Sequence, residues 1–266
     1  MEQRNKKDLL VVKVGTNVLA DTSGEYPTFN ERSFDNIGAE IASHANDETG
    51  VVLVSSAAIA AGVQSEQRRR EEVTDIAELQ YYAAIGWPAI VQRWKQAISG
   101  HSVMPTLLTK HELHAKATRA QIIGSTAFCL LERNGVVLAN ENDTIDPSEI
   151  KFGDNDTLAA ELAVELARSG LYRSTKLVLL TNTNGLNRVA EDSSTLIRTV
   201  DDIDAVQQFA GDATSGHSRG GMITKVRAAK TAKAADIETY IANGRQERAV
   251  SRALNREVGT YFPVDS

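Results

Sequence analysis

The chain has 266 residues, 42% of them hydrophobic and 24% charged, which are ordinary values for a globular protein with a substantial core. Its net charge of −6 and the lack of a basic stripe argue against nucleic-acid binding, and no segment is apolar enough to span a membrane. The single Cys129 excludes an internal disulfide, and the N-terminal residues lack an apolar export segment, so we expect a cytoplasmic protein.

Apolar runs and helical patterns alternate along the chain. The predicted strands are residues 9–12, 51–54, 103–108, 136–139, 176–180 and 238–242, and a further apolar run at 258–262 closes the chain. The predicted helices are residues 30–48, 76–98 with a break at 86–88, 118–133, 157–167, 203–209 and 223–235. Continuous β-branched strands indicate a parallel sheet buried on both faces. The alternation predicts a single α/β domain with three α/β/α layers.

Lys13 stands at the end of the first predicted strand, close to Gly15. A lysine is unexpected at the end of a core strand, and the glycine lets the backbone approach a ligand. We therefore favour a ligand contact over a lysine at the sheet edge. Small residues at 55–62 follow the second strand and permit close ligand contact at a helix N-terminus, although small residues also serve tight helix–sheet packing.

Other segments have simpler interpretations. Residues 21–29 are polar and predict a loop or small hairpin. Residues 111–114 (HELH) contain two histidines, but their spacing differs from the HExxH zinc motif, so we interpret them as an exposed helix surface. Cys129 lies in an apolar helical run and is interpreted as a small core residue.

Two clusters of acidic and amide residues lie close together in the sequence. Residues 140–143 (NEND) follow a predicted strand, and residues 153–156 (GDND) precede a helical pattern. Strand ends and helix N-termini are where parallel sheets bind ligands. Either cluster alone is equally well explained by caps and turns. Together they predict a site for a polar, amino-acid-like substrate, because amides and carboxylates can hold an ammonium and a carboxylate at once.

A glycine-rich segment at 211–222 opens the helical pattern at 223–235, which carries Lys225 in its predicted first turn. Glycines before such a helix resemble a phosphate cradle, although the Walker A spacing is absent. Phosphoryl transfer requires positive charge and oriented N–H groups around the phosphate. Lys13 and Lys225 supply the charge, and Asp156 is placed to orient both lysines by ion pairing.

The motifs VKVGTNVL, SSAAIAAG, NEND, KFGDNDTLAA, LLTNTNGL, GGMITK and VGTYF, in this order, resemble the amino acid kinase family and, within it, the glutamate 5-kinases. The resemblance covers nearly the whole chain. It implies an open, mainly parallel sheet between helix layers in one domain, residues 1–266. The acid substrate would bind to about residues 1–170 and the nucleotide to about residues 171–266. Many members of the family carry a C-terminal PUA domain, which is an RNA-binding module, and we expect none in this chain.

The resemblance implies transfer of the γ-phosphoryl group of ATP to the side-chain carboxylate of L-glutamate, the first step of proline biosynthesis. Mg²⁺ would be held mainly by the ATP phosphates. The implied catalytic residues are Lys13, Asp156 and Lys225. The implied acid-binding residues are Ser56, Ala57, Asp143 and Asn155. The implied nucleotide-binding residues are Lys13, Thr181, Asn182, Arg219, Gly220, Gly221, Met222 and Lys225. Expected partners are glutamate, ATP, proline as a feedback inhibitor, and further copies of the chain in a dimer or tetramer.

Three residues depart from the family pattern. Ala57 replaces the glycine of an SGA motif, where a methyl group crowds the backbone and resists a positive φ. Asn182 replaces an aspartate of the nucleotide pocket, and Arg219 adds a positive charge where a small hydroxyl residue is common. Two alternatives stay open. One is a kinase of the same fold that acts on another carboxylic or phosphorylated acid, and the other is a non-catalytic relative that binds an amino acid or nucleotide.

Overall fold

A computed structural model describes residues 6–69, 72–146, 155–189, 192–210 and 220–264. The strands in these ranges are β1 (Asp8–Val14), β2 (Ala20–Asp21), β3 (Thr28–Phe29), β4 (Thr49–Ser55), β5 (Val103–Leu108), β6 (Val136–Glu141), β7 (Thr175–Thr181), β8 (Glu238–Asn243) and β9 (Thr260–Phe262). The α-helices are α1 (Thr16–Leu19), α2 (Glu31–His44), α3 (Ala58–Ser65), α4 (Ile76–Ala97), α5 (Lys110–His114), α6 (Lys116–Ala127), α7 (Asn155–Arg168), α8 (Ile203–Val206), α9 (Gly220–Lys233) and α10 (Ala249–Leu254).

A seven-stranded sheet forms the centre of the fold, in the order β5-β6-β4-β1-β7-β8-β9. Neighbouring strands are parallel except β9, which runs antiparallel to β8. The predicted open, mainly parallel sheet is therefore confirmed. The polar segment 21–29 forms the small antiparallel hairpin of β2 and β3. The chain passes from β6 on one side of β1 to β7 on the other, which makes the carboxyl end of β1 a switch point where ligands bind.

Successive residues of β1 enter two different cores. Leu9 and Val11 pack with buried residues of α7 and α9, whereas Leu10 and Val12 pack with those of α2, α4 and α10. This alternation follows from the two-residue period of a strand. The sheet is thus covered on both faces, as the three-layer prediction requires. Lys13 is the next residue on the side of α7 and α9, so the strand itself aims the lysine at these helices.

The predicted break in α4 and several predicted helix boundaries were wrong. The expected break at 86–88 is absent, because α4 runs through Pro88 without interruption. Gly86 acts as a packing contact instead: a Cβ there would lie 1.9 Å from the carbonyl oxygen of Ala58 in α3. Helix α2 ends at His44. Helix α6 begins at Lys116, and a π-helical turn, Phe128–Glu132, follows it. Helix α9 begins at Gly220, which places Lys225 in its second turn.

Of the helices that the structure describes, none has both the length and the apolar character needed to cross a membrane.

Candidate active site

A cleft of about 260 Å³ opens at the carboxyl ends of β1, β4 and β7. Two lysines, glycines, and hydroxyl and amide side chains line it. The lining residues are Lys13, Gly15, Thr16, Asn17, Val18, Ser56, Thr181, Asn182, Thr183, Gly221, Met222 and Lys225. None of these described lining residues carries a carboxylate. The cleft is therefore suited to an anionic ligand.

A buried group of three charges lies beside this cleft. The Nζ atom of Lys13 lies 2.8 Å from Oδ1 of Asp156, and Nζ of Lys225 lies 3.0 Å from Oδ2 of the same carboxylate. Lys13 is 4% exposed, Lys225 is 6% exposed, and Asp156 is fully buried. Three elements meet here: the end of β1, the first turn of α7 and the second turn of α9. Two ammonium groups around one carboxylate leave a net positive charge for a phosphate.

The ionisation of Asp156 depends on these neighbours. Burial alone raises the pKa of this carboxyl group, but the charges of Lys13 and Lys225 and hydrogen bonds from Lys13 and Thr224 outweigh burial and hold the pKa below its usual range. Thr224 donates its hydroxyl proton to Oδ2 of Asp156 at 2.7 Å. Lys225 also donates to the carbonyl oxygen of Gly221 at 3.0 Å. The carboxylate thus stays ionised and fixes both lysine heads.

Asn155 precedes Asp156 and organises a second, uncharged group. Its amide nitrogen donates to the hydroxyl oxygen of Ser56 at 3.1 Å and to Oδ1 of Asn140 at 3.0 Å. Its amide oxygen accepts from the backbone N–H of Glu141 at 3.1 Å. Because a backbone N–H can only donate, this last contact fixes which end of the Asn155 amide is oxygen. The amide joins the loop after β4, the end of β6 and the start of α7.

The turn between β4 and α3 has an unusual backbone. Ala57 has φ = +83° and ψ = 9°, a left-handed conformation that L residues other than glycine rarely adopt. The N–H of Ser56, just before it, donates to the carbonyl oxygen of Val14 at 3.0 Å. The glycine expected here from the family pattern would adopt this φ without strain, so Ala57 holds a glycine-like backbone conformation and adds a methyl group.

Four of the remaining predicted nucleotide residues, Thr181, Asn182, Gly221 and Met222, line the same cleft. Thr181 ends β7, Asn182 follows it, and Gly221 and Met222 lie in the first turn of α9. Asp143 lies two residues beyond the end of β6 and is half-buried. Gly220 begins α9. Arg219 and the first half of GDND, residues 153–154, lie outside the described residues.

Sequence reasoning missed several residues of this region. Thr224 shares one face of α9 with Gly221 and Lys225 through the i, i+3, i+4 spacing, and this spacing was the available signal. Asn140 belonged to a recognised cluster but was given no role. Arg245, after β8, donates to the carbonyl oxygen of Asn17 from Nε at 3.1 Å and from Nη2 at 2.6 Å, a contact with no sequence signal.

The histidine-containing segment forms a short helix, as interpreted. His111 and His114 of α5 are exposed, and Nε2 of His114 lies 3.3 Å from a carboxylate oxygen of Glu161. Among the described residues, no group of three or more histidine, cysteine or acidic residues is placed to hold a metal ion. Cys129 is buried, which raises the pKa of its thiol and agrees with a core role.

Comparison with known proteins agrees with this geometry. Two lysines held by one carboxylate beside the carboxyl edge of a parallel sheet fit a phosphoryl-transfer protein. The chain belongs to the amino acid kinase family, whose sequence model matches residues 8–243. The chain is 36% identical over 260 residues to the glutamate 5-kinase of Clostridium acetobutylicum, an alignment that covers 95% of this chain and 93% of that protein.

Other relatives extend the comparison. The glutamate 5-kinase of Anaeromyxobacter dehalogenans is 36% identical over 263 residues, and the alignment covers 95% of this chain but 66% of that longer protein. Among solved structures, the carbamate kinase of Giardia lamblia bound to AMP-PNP superposes with a TM-score of 0.64 at 16% identity, covering 99% of this chain and all of that one. At that identity the likeness shows the shared fold alone.

Proposed function

We propose that this protein transfers the γ-phosphoryl group of ATP to the side-chain carboxylate of L-glutamate. The observation that carries the proposal is the adjacency of Asn155 and Asp156, whose Cα atoms are about 3.8 Å apart as in any trans peptide. Asn155 organises an uncharged hydrogen-bonding group, and Asp156 organises two ammonium groups. An acid bound by the first group lies next to a phosphate bound by the second. Curated glutamate 5-kinases at 36% identity support glutamate as the acid.

The proposed reaction is a direct displacement. A side-chain carboxylate oxygen of glutamate forms a bond to the γ-phosphorus while the bond from that phosphorus to the β–γ bridging oxygen breaks, which gives glutamyl 5-phosphate and ADP. Glutamate is ionised at neutral pH because its pKa is about 4.3, so no general base is needed. Lys13 and Lys225 stabilise negative charge on the phosphoryl oxygens in flight. Asp156 is the positioning residue that holds both ammonium groups.

On the acid side, Ser56 is the best-placed donor. Its hydroxyl oxygen accepts a hydrogen bond from Asn155, which leaves the hydroxyl proton to donate to a substrate carboxylate. Both N–H groups of the Asn155 amide are engaged by Ser56 and Asn140, so we propose that Asn155 acts mainly by orienting these two side chains. Asp143 is proposed to bind the substrate ammonium group, and Ala57 to shape the pocket wall.

On the nucleotide side, the proposal assigns the phosphates to Lys13, Lys225 and the N-terminus of α9. The backbone N–H groups at the start of a helix have no partner within the helix, and its dipole favours an anion. Gly220, Gly221 and Met222 supply these groups. Thr181 and Asn182 contribute hydroxyl and amide contacts at the end of β7, and Arg219 is assigned here from its sequence position.

Magnesium, when bound with ATP, supplies further neutralisation of phosphate charge. The described cleft lining contains no carboxylate, and both oxygens of the neighbouring Asp156 face lysines. These residues fit a magnesium ion held mainly by the triphosphate rather than by protein ligands. The chain's own contribution to phosphate charge is then the two lysines.

We also propose four further properties of this protein. They are an acid-binding part at about residues 1–170 and a nucleotide-binding part at about residues 171–266, a cytoplasmic location, a homo-oligomer, and inhibition by proline. Light scattering of the purified chain measures the oligomer, and proline titration in a kinase assay measures inhibition.

The direct test is ADP release with a panel of acids, in the presence of hydroxylamine to trap an acyl phosphate. L-Glutamate should give ADP and hydroxamate in equal amounts, and D-glutamate, L-aspartate and N-acetyl-L-glutamate should give much less. Activity confined to another acid would overturn glutamate as substrate while the kinase assignment stands. No ADP release with any acid would favour the non-catalytic alternative.

A further inference from the structure

We propose that Trp94 and Ser55 are positioning residues for the acid-binding turn. They act through a chain of two hydrogen bonds, here called the Trp94–Ser55 relay. The indole N–H of Trp94 donates to the hydroxyl oxygen of Ser55 at 2.8 Å. The Ser55 hydroxyl in turn donates to the carbonyl oxygen of Ser56 at 3.1 Å. The proposal rests on the proposed function only in naming glutamate as the acid that this turn binds.

The relay is built into the core of the molecule. Trp94 and Ser55 are both fully buried, in α4 and at the end of β4. The indole ring packs on Phe34 of α2, with ring centroids 4.8 Å apart. The relay thus anchors the turn at Ser56 and Ala57 to two helices and a strand. Removing one partner of such a hydrogen bond costs free energy, because the other partner is left buried without either its hydrogen bond or water.

The relay ends on the peptide group that decides the conformation of the turn. A trans peptide is planar, with its N–H pointing opposite to its carbonyl. Holding the carbonyl of Ser56 therefore also fixes the direction of the Ala57 N–H. Within the described part of the chain, this N–H has no hydrogen-bond acceptor. A donor fixed in this way beside the Ser56 hydroxyl is suited to a carboxylate of the acid substrate.

Backbone strain explains why such a support is needed. Ala57 holds φ = +83°, a conformation that is strained for an L residue with a Cβ atom. A strained residue persists only where its surroundings over-determine it. Two contacts hold the backbone before Ala57 in place: the relay, and the hydrogen bond from the Ser56 N–H to the carbonyl oxygen of Val14. Without the relay, the Ser56–Ala57 peptide is free to rotate toward a relaxed conformation.

The test compares variants that remove the relay with one that disturbs only its packing. Trp94→Phe keeps an aromatic ring and removes the N–H, and Ser55→Ala removes the hydroxyl. Each should raise the KM for glutamate about tenfold, the effect of one hydrogen bond, while the KM for ATP stays within about twofold. The double variant should resemble Ser55→Ala alone, because both residues act through one chain. Phe34→Leu is the matched control and should lower the melting temperature without changing the KM for glutamate.

A second readout does not require turnover. The chain has two tryptophans, so Trp94→Phe assigns the indole N–H resonance of Trp94 in an NMR spectrum. This resonance should move in Ser55→Ala and should exchange slowly with solvent in the unmodified protein. Equal rises in both KM values, or a rise in Phe34→Leu matching that in Trp94→Phe, would overturn the relay's role. An indole resonance unaffected by Ser55→Ala would overturn the relay even if glutamate proved not to be the substrate.

Discussion

The two sides of the cleft meet at consecutive residues of α7 and differ in how they are built. On one side Asp156 holds two lysines, and the side chains are buried charges. On the other side Asn155 holds Ser56 and Asn140, and the side chains are neutral. Charge acts on any anion in reach, whereas hydrogen bonds act only along their own directions. This difference supports the proposal that the lysine side acts on the transferring phosphoryl group and that the amide side selects the acid.

The energetic cost of the two sides also differs. Burying an ammonium group is expensive, and at Lys13 and Lys225 that cost is offset in part because both pair with Asp156. A change to any member of that group therefore disturbs the whole group. On the amide side, the side chains that Asn155 contacts, Ser56 and Asn140, are neutral and need no counter-charge. Its members can change with smaller consequences, and substitutions on the two sides should separate in both size and kind.

The largest expected effect belongs to the lysines. Lys13→Met and Lys225→Met should each lower kcat about a hundredfold, because each removes a charge that acts mainly in the transition state. The KM for glutamate should stay within about threefold. Steady-state kinetics with both substrates measure the split. Lys230→Met is a matched control on the same helix, since Lys230 is exposed and pairs with Asp204. An unchanged kcat with a raised KM for either substrate would show that the lysines only bind the ground state.

The next effect is on stability. Asp156→Asn leaves two buried ammonium groups without a counter-charge and should destabilise the protein by about 3 kcal/mol. Because the folded pKa of Asp156 lies below its ordinary value of 3.8, its contribution to stability is present above that pH and is lost as the pH falls through the folded pKa. Urea unfolding from about pH 5 to about pH 3 should therefore show a steeper loss in the unmodified protein than in Asp156→Asn. Parallel pH profiles would show that this carboxylate does not contribute.

A smaller effect is expected on the amide side. Asn155→Ala removes the donor that orients Ser56 and the bonds to Asn140 and Glu141. The KM for glutamate should rise about tenfold, with kcat changed by less than about threefold. The KM for ATP serves as the internal control. A loss confined to kcat would show that Asn155 contributes to phosphoryl transfer rather than to acid binding.

The smallest effect is expected at Ala57. Ala57→Gly relieves the left-handed strain but adds freedom to the unfolded chain, so stability should rise by about 0.5–1 kcal/mol. Because the backbone already has the glycine-like conformation, kcat/KM for glutamate should change by less than about threefold. Arg248→Gly is the matched control, since Arg248 has φ = +55° at the exposed N-cap of α10. A rise of about tenfold in kcat/KM would show that the methyl group occupies substrate space and would favour a different acid.

Much of the fold was predictable because strands buried on both faces leave continuous apolar runs, as at 9–12 and 51–54. Lys13 was conspicuous because it interrupts such a pattern. The role of Gly86 was not predictable, since its close contact with Ala58 is a tertiary contact and its sequence neighbour Pro88 is typical of a helix break. Thr224 gains its importance from a carboxylate 68 residues away, which only the folded structure brings within reach.

The division between the two sides is tested most directly by calorimetric titration of glutamate into the unmodified protein, Lys225→Met and Asn155→Ala, without nucleotide. Binding reports recognition alone, free of the transfer step. We expect Lys225→Met to bind glutamate within about threefold of the unmodified protein and Asn155→Ala to bind it about tenfold more weakly. Weakened binding in Lys225→Met together with unchanged binding in Asn155→Ala would show that the two sides do not divide the work in this way.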